Sequence, residues 1–293
     1  LVLSPKEFPH LTGLKGRTLL TSDGTTILGA DDKAGIAEIL TMIERIQTEN
    51  RPHGMICVAF TPDEEIGMGA EHFNLDQFGA EYAYTLDGDS EGEIQYENFN
   101  ACKAEFEIRG FNVHPGEGKD TMINASLVAI EINNCLPSME TPRGTEDYEG
   151  FYHLISMQGE VGEAKLNYIV RDHDKNGFEE RKKTLRLIEK NLNAKWGEGT
   201  VTLKITDQYL NMKEIVEEHM HLIDHAKKAC EAAGVAPLIL PIRGGTDGCQ
   251  LSFKGLPCPN LGTGGHAFHG PYEHISVEGM EKSVELLLAL IQE

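Results

Sequence analysis

Two groups of acidic residues are the feature of this sequence that most clearly indicates chemistry. Asp31 and Asp32 precede a helical pattern, and Asp63, Glu64 and Glu65 follow an apolar run. Carboxylates that crowd together repel one another unless positive charge lies between them, and a divalent metal ion often supplies that charge in proteins. The sequence therefore predicts a metal site.

Further residues fit a two-metal hydrolytic site, which needs oxygen and imidazole ligands, a bridging carboxylate and a free carboxylate that accepts a proton from water. Asp31 lies where a predicted strand passes into a helix and is the candidate bridge. Glu64 and Glu65 follow the next strand and point in different directions, so that one can bind metal while the other acts as base. Asp87 ends a third strand, and His269 lies between two glycine-bearing loops, where an imidazole could complete a ligand set.

Each of these residues also has an explanation that involves no catalysis. An Asp pair before a helix, or Pro-Asp-Glu-Glu at a helix start, often caps the helix and interacts with its dipole. Asp87-Gly88-Asp89 is a common turn sequence, and a single loop histidine is usually exposed to solvent. Capping does not predict that acids follow three successive strands at one sheet edge, and this coincidence favours the metal site.

Composition excludes several classes of partner. The chain has 293 residues, 40% of them hydrophobic, which is enough for a large core and favours two domains. Its 26 basic and 47 acidic residues give a net charge of −21, which disfavours nucleic acid and anionic membranes as partners. Neither a membrane span nor a signal peptide is predicted. The six cysteines show no disulfide or zinc-knuckle spacing and predict a cytoplasmic protein with reduced thiols.

The spacing of apolar residues predicts an α/β sheet in the first hundred residues. Two β-rich runs, at residues 17–20 and 25–28, flank a turn. Residues 33–48 have the period of a helix with one buried face. Residues 55–60 and 82–86 are continuous apolar runs, which is typical of strands covered on both faces.

The middle of the chain has a different pattern and predicts an inserted α+β domain on an antiparallel sheet. Its predicted elements are strands at residues 102–109, 166–170 and 200–205 and helices at residues 124–135 and 177–193. The α/β style resumes with helices at residues 214–233 and 277–293. We therefore predict one α/β domain from residues 1–98 and 208–293, with residues 99–207 inserted as a second domain.

Six segments of the chain form a recognisable set of motifs. They are Gly29-Ala30-Asp31-Asp32-Lys33-Ala34-Gly35, Phe60-Thr61-Pro62-Asp63-Glu64-Glu65, Leu86-Asp87-Gly88, Asn112-Val113-His114-Pro115-Gly116, Arg243-Gly244-Gly245-Thr246-Asp247-Gly248 and Phe268-His269-Gly270. Together they resemble the co-catalytic zinc peptidases, and within them the peptidase T family of tripeptide aminopeptidases. The resemblance spans essentially the whole chain.

The resemblance implies a zinc-peptidase-type catalytic domain interrupted by an α+β lid, and it implies a role for each metal-site residue. Asp31 would bridge two zinc ions, Glu65 and His269 would complete the ligands of one ion, and Asp87 would bind the other. Glu64 would be the general base that activates water for attack on the peptide carbonyl. The peptide bond between Asp31 and Asp32 would be cis.

Three further residues are implied to bind the substrate, a small peptide from which the N-terminal residue is released. His114, in the lid, would stabilise the tetrahedral oxyanion, in some relatives from a partner subunit, which implies a possible homodimer through the lid. Arg171 and Arg243 would hold the substrate carboxylate with their guanidinium groups. Taken singly, each arginine is better explained by a surface or structural ion pair.

The sequence departs from the family pattern at one point. The family has an upstream His-x-Asp whose histidine is a zinc ligand, and the only histidine before Asp31 is His10, which has different neighbours. The first zinc site would therefore lack a ligand, and we expect the sequence to be a fragment rather than a degenerate protein.

Other functions are compatible with the same residues. A related dipeptidase, carboxypeptidase or N-acyl amino acid amidohydrolase would use the same metal ligands, and an inactive scaffold would keep only the fold. A glycosidase with Glu64 as acid is a distant alternative, because it leaves His269 and the other acids without a role.

Overall fold

The structure is a computed structural model that describes residues 1–292, and the chain divides into two compact units. The first unit is formed by Leu1–Glu97 together with the residues from Met212 onward, and the second unit is Asn98–Asn211. The roles predicted for an α/β catalytic domain and an inserted lid remain predictions.

The first part of the first unit contains one long helix among short strands. Its elements are β1 (Leu19–Thr21), α1 (Ala30–Glu49), α2 (Leu75–Phe78), β2 (Thr85–Gly88) and β3 (Glu93–Gln95). Helix α1 buries Ala34, Met42 and Ile46 on one face and ends at Asn50, which has a left-handed backbone conformation. The helix predicted for residues 33–48 is thus confirmed.

The buried strand predicted at residues 55–60 is wrong. Residues 51–61 have no regular secondary structure, and the side chains of Met55 and Phe60 are 88% and 49% exposed. Residues 25–28 also form no strand. A strand requires a hydrogen-bonded neighbour, and within residues 1–292 neither segment pairs with one. Apolar composition is a local property, whereas strand pairing depends on distant parts of the chain.

The second unit is an antiparallel sheet covered by two helices. Its elements are β4 (Asn100–Arg109), α3 (Ala125–Asn134), β5 (Phe151–Gly159), β6 (Glu163–Asp172), α4 (Lys175–Trp196) and β7 (Val201–Tyr209). The four strands have the order β5-β6-β4-β7. All the elements predicted for this region are present, and the sequence analysis missed β5.

Alternation of buried and more exposed residues over positions 102–109 of β4 shows why this region folds as a sheet with one buried face. Ala104, Phe106 and Ile108 are at most 1% exposed, whereas Lys103 and Glu107 point to solvent. Residues of α3 and α4 join the same hydrophobic cluster as these inward-facing residues. The alternation therefore sets both the register and the side on which the helices pack.

The chain returns to the first unit through a series of short elements. They are α5 (Lys213–Val216), α6 (His221–Ala232), β8 (Leu238–Ile239), α7 (Asp247–Phe253), β9 (Asn260–Gly262), β10 (Gly265–His266), β11 (His274–Ser276) and α8 (Val277–Leu290). The single helix predicted at residues 214–233 is interrupted by a 3-10 turn, Glu217–His219, between α5 and α6. Helix α7 was not predicted.

Two small sheets carry the loops of the first unit. The first has the order β2-β9-β3-β8, with β2 parallel to β9 and β3 antiparallel to β9. The second is antiparallel with the order β1-β11-β10. Helix α8 packs against α1 and α6. The α/β fold class is confirmed, and within residues 1–292 no helix is both long and apolar enough to cross a membrane.

Candidate metal centre

Asp31 lies at the start of α1, before the backbone becomes regularly helical. Asp31 and Asp32 have non-helical dihedral angles, and the peptide bond between them is cis, as the family resemblance implies. The side chain of Asp31 is only 14% exposed. Its carboxylate is therefore held close to the protein rather than extended into solvent.

Glu64 and Glu65 lie on a one-turn 3-10 helix, Glu64–Ile66, and not directly at the end of a strand. The turn is bounded by Asp63 and Gly67, both with left-handed backbone conformations. Glu65 is 60% exposed, whereas Glu64 is half-buried. The two neighbouring carboxylates therefore have different environments, which is compatible with different chemical roles.

His269 lies in the loop between β10 and β11. Its φ angle is 60°, a left-handed conformation that is uncommon for a residue other than glycine. The imidazole is 67% exposed and its Nε2 atom lies 2.8 Å from Oδ2 of Asp31 and 3.3 Å from Oε2 of Glu65. The fold thus brings together three side chains that are far apart in the sequence.

Asp31, Glu65 and His269 form a group that could hold a metal ion. One ligand atom from each residue lies within 4.8 Å of the other two. Two carboxylates and an imidazole are a suitable ligand set for zinc and for several other divalent metals. The donor chemistry of the residues present therefore fits a divalent cation.

Asp87 lies in β2 and belongs to the same acidic region, although it is not a member of the three-residue group. Burial raises the pKa of Asp87 to about 9, and the negative charges of Asp32 and Glu64 add to this effect. The neighbouring carboxyl group of Asp31 acts in the same direction. A cation in this region would favour the ionised form of all these carboxylates.

Glu64, the predicted general base, lies in an environment that raises its pKa. Burial raises the pKa of its carboxyl to about 7, and the charges of Asp247 and Glu65 act in the same direction. A base works best when its pKa is close to the working pH. Glu64 is therefore placed among charges that make its carboxylate more basic than an ordinary glutamate.

The structure adds acids that the sequence analysis did not consider. Asp247, at the start of α7, is 3% exposed, and its two carboxylate oxygens have no hydrogen-bond partner among residues 1–292. Asp89 is close enough to Asp31 and His269 for both to influence its pKa, which burial raises. Asp247 belongs to the motif Arg243-Gly248, in which only Arg243 was predicted to have a role.

The three residues predicted to bind substrate are distributed over both units. His114 and Arg171 belong to the second unit, and Arg243 to the first. Nδ1 of His114 accepts a hydrogen bond from the backbone N–H of Gly116. Arg171 donates to the carbonyl oxygens of Cys102 and Val170, at 3.3 and 3.0 Å. Their contacts with substrate remain predictions.

His10 has a different environment from the three grouped residues. Its Nε2 atom lies 2.9 Å from Nε2 of His274, and its ring stacks on that of His266 with 4.2 Å between centroids. His10 therefore takes part in a cluster of three histidines and is not among the residues grouped around Asp31.

Known proteins are similar to this chain over most of its length. The model of "Peptidase family M20/M25/M40" matches residues 24–293. A peptidase T from Halothermothrix orenii is 54% identical over 293 residues, covering 100% of this chain and 72% of the relative.

Solved structures share the fold. The crystal structure of aminopeptidase PepT from Bacillus cereus ATCC 10987 matches with a TM-score of 0.82 and 28% identity, covering 94% of this chain and 74% of that one. A tripeptidase from Staphylococcus aureus matches with a TM-score of 0.83 at 24% identity, covering 94% of this chain and 73% of that one, which supports the fold. The chain belongs to peptidase family M20/M25/M40, and within it to the peptidase T proteins.

Proposed function

We propose that this chain is a metal-dependent aminopeptidase that releases the N-terminal residue of tripeptides. The single observation that carries the proposal is the convergence of Asp31, Glu65 and His269 within 4.8 Å, next to the half-buried Glu64. The membership of the chain in the peptidase T proteins supports the same reaction. A scaffold that had lost its activity would not be expected to keep these side chains together.

We propose a separate role in hydrolysis for each residue of this region. Asp31, Glu65 and His269 would hold one ion, with Asp31 also facing a second ion bound by Asp87. We propose zinc for both positions in the complete enzyme; within this sequence the position bound by Asp31 and Asp87 lacks the histidine ligand of the family pattern. A divalent ion supplies Lewis-acid activation of water and of the scissile carbonyl when it is bound. Glu64 would accept the proton of the attacking water and deliver it to the leaving amine.

His114, Arg171 and Arg243 are proposed to bind the peptide. His114 would donate a hydrogen bond to the developing oxyanion, and the two guanidinium groups would pair with the substrate carboxylate.

We propose a homodimer through the second unit and a cytoplasmic location. The second unit exposes Leu127, Ile130 and Ile155 by 61%, 46% and 55% on α3 and the edge strand β5, which is compatible with a protein interface. All six cysteines are free, and four of them are buried, as expected in a reducing compartment.

Substitution of Glu64 tests the proposed function. The Glu64→Gln variant should bind zinc with the affinity of the wild type, because Glu64 is not among the three grouped ligands, and should lose hydrolysis of Leu-Gly-Gly by about 100-fold or more. Glu218→Gln, an exposed glutamate on the 3-10 turn before α6, is the matched control. Wild-type turnover by Glu64→Gln, or faster hydrolysis of dipeptides or N-acetylated peptides than of tripeptides, would refute the proposal.

A further inference from the structure

Glu273 is a buried carboxylate that none of the roles above uses. It lies directly before β11 and is only 2% exposed. A charged side chain is rarely buried unless its charge is compensated. Within residues 1–292, no lysine or arginine forms an ion pair with it.

Backbone N–H groups at the start of α1 compensate the buried charge. The N–H of Gly29 donates to Oε2 of Glu273 at 2.6 Å, and the N–H of Asp31 donates to Oε1 at 3.0 Å. Each oxygen of the carboxylate therefore accepts one hydrogen bond, and the two donor residues flank Ala30 in the sequence. Helix N-termini carry unpaired N–H groups and favour negative charge, so that this contact is stable without a cation.

These two hydrogen bonds determine the position of the Asp31 backbone. Asp31 has non-helical dihedral angles, Gly29 has a left-handed conformation with φ of 69°, and the helical hydrogen bond from the N–H of Lys33 to the carbonyl of Gly29 is long, at 3.4 Å. The carboxylate of Glu273 adds two hydrogen bonds to this weakly held segment. It fixes the Cα atom from which the Asp31 side chain extends towards His269.

The same loop also carries His269. Only three residues separate His269 from Glu273 in the β10–β11 connection. This single segment therefore holds the backbone of Asp31 through Glu273 and presents an imidazole to its side chain, 2.8 Å from Oδ2. Movement of the loop would move both the histidine and the aspartate restraint together.

We propose that Glu273 is a positioning residue that holds Asp31 opposite His269 in the geometry needed to bind metal. The proposal rests on the proposed function in assigning Asp31 and His269 as ligands. Groups that orient metal ligands typically change the metal affinity by about 10- to 100-fold when they are substituted. Glu273 itself contacts neither metal nor substrate.

The chain offers a matched control for the structural part of this contact. Glu278, in the first turn of α8, accepts two contacts from the backbone N–H of Thr18, at 2.9 and 3.1 Å. It is a glutamate that restrains backbone in the same unit but does not contact the grouped metal-site residues. Glu278→Gln therefore measures the loss of a backbone restraint alone.

The test measures the binding of Zn²⁺ alone by competition with a chromogenic chelator, together with the unfolding temperature of the metal-free proteins. We expect Glu273→Gln to weaken Zn²⁺ binding by about 10- to 100-fold, because an amide replaces one acceptor oxygen with a donor. Glu278→Gln should change the affinity less than about 2-fold, within ordinary surface-substitution effects. If Glu273→Gln does not fold, Glu273→Asp, which keeps the charge but shortens the side chain, should show the same loss of affinity.

The outcomes separate this proposal from the proposed function. Wild-type Zn²⁺ affinity in Glu273→Gln or Glu273→Asp would overturn the positioning role and leave the peptidase assignment intact. Weaker binding in these variants would support it even if the wild-type chain hydrolysed no peptide, since the readout does not require turnover. Absence of Zn²⁺ binding by the wild type would overturn it, and equal losses in the Glu273 and Glu278 variants would also do so.

Discussion

The imidazole Nε2 of His269 and the carboxylate Oδ2 of Asp31 lie 2.8 Å apart, although 238 positions separate the two residues in the sequence. The contact joins an exposed side chain to one that is 14% exposed. The aspartate is held at the start of a helix and the histidine in a loop. A cation that enters from solvent would therefore meet the histidine on an open side of the group.

Removal of this imidazole should weaken metal binding directly. We expect His269→Ala to lower the Zn²⁺ affinity by at least about 10-fold, because one of three grouped ligands is lost. His53→Ala is the control, since His53 is exposed and its ring forms a hydrogen bond with the carbonyl of its neighbour Gly54. Calorimetric titration of both variants measures the effect. Equal affinity of His269→Ala and wild type would contradict the ligand assignment.

The buried Glu38 on α1 should make the protein less stable as the pH rises. Glu38 is 1% exposed, and neither of its carboxylate oxygens has a hydrogen-bond partner in the described part of the chain. Burial and the charge of Asp32 raise its pKa to about 10. The folded state therefore keeps a proton that the unfolded chain releases above pH 4.5. Stability linked to this group is present at low pH and is lost as the pH rises from 4.5 towards 10.

Substitution of Glu38 by glutamine should remove this dependence. Glu38→Gln should become progressively more stable than the wild type between pH 5 and pH 9, by at most about 1.4 kcal/mol per pH unit. Urea unfolding at pH 5, 7 and 9 measures the difference. Parallel stability curves for the two proteins would show that Glu38 is not held protonated.

The histidine cluster should contribute to unfolding in acid. Burial lowers the pKa of His266 to about 4, and the positive charges that His10 and His274 would carry act in the same direction. Neutral His266 is therefore favoured in the folded state. Its contribution is fully present above the unfolded pKa of about 6.5 and is lost as the pH falls from 6.5 towards 4.

A neutral residue at position 266 should reduce the loss of stability at acidic pH. Between pH 6.5 and 4.5, the free energy of unfolding of the wild type should fall by about 1 to 2 kcal/mol more than that of His266→Gln. This range is reduced to account for the partial exposure of the ring. Urea unfolding across this pH range provides the measurement. An unchanged acid slope would mean that His266 does not titrate abnormally.

Two leucines on α4 test how this helix packs, because one of them is buried and the other is exposed. Leu185 is fully buried, whereas Leu187, two residues later, is 55% exposed. Leu185→Ala should destabilise the second unit by about 2 to 5 kcal/mol because it leaves a cavity. Leu187→Ala should change stability by less than about 0.5 kcal/mol. Scanning calorimetry tests both, and similar losses in the two variants would contradict the packing described for α4.

The local pattern of apolar residues was sufficient to predict those helices and strands in which buried positions recur at a regular spacing. The alternation of Ala104, Phe106 and Ile108 predicted β4, and the helical spacing after Lys33 predicted α1, because each pattern reflects a surface that one element presents to the core. The acids and the late histidine were candidates from residue type and motif alone. Their identity as candidates required no knowledge of the fold.

Tertiary structure decided what local pattern could not. Residues 55–60 are apolar but unpaired within residues 1–292, because a strand exists only with a neighbour. No sequence signal marked Glu273, whose partners are backbone N–H groups more than 240 positions away. The sequence by itself determined which side chains can bind a metal, while only the folded chain decided which of them meet, because convergence depends on distances between segments that share no local pattern.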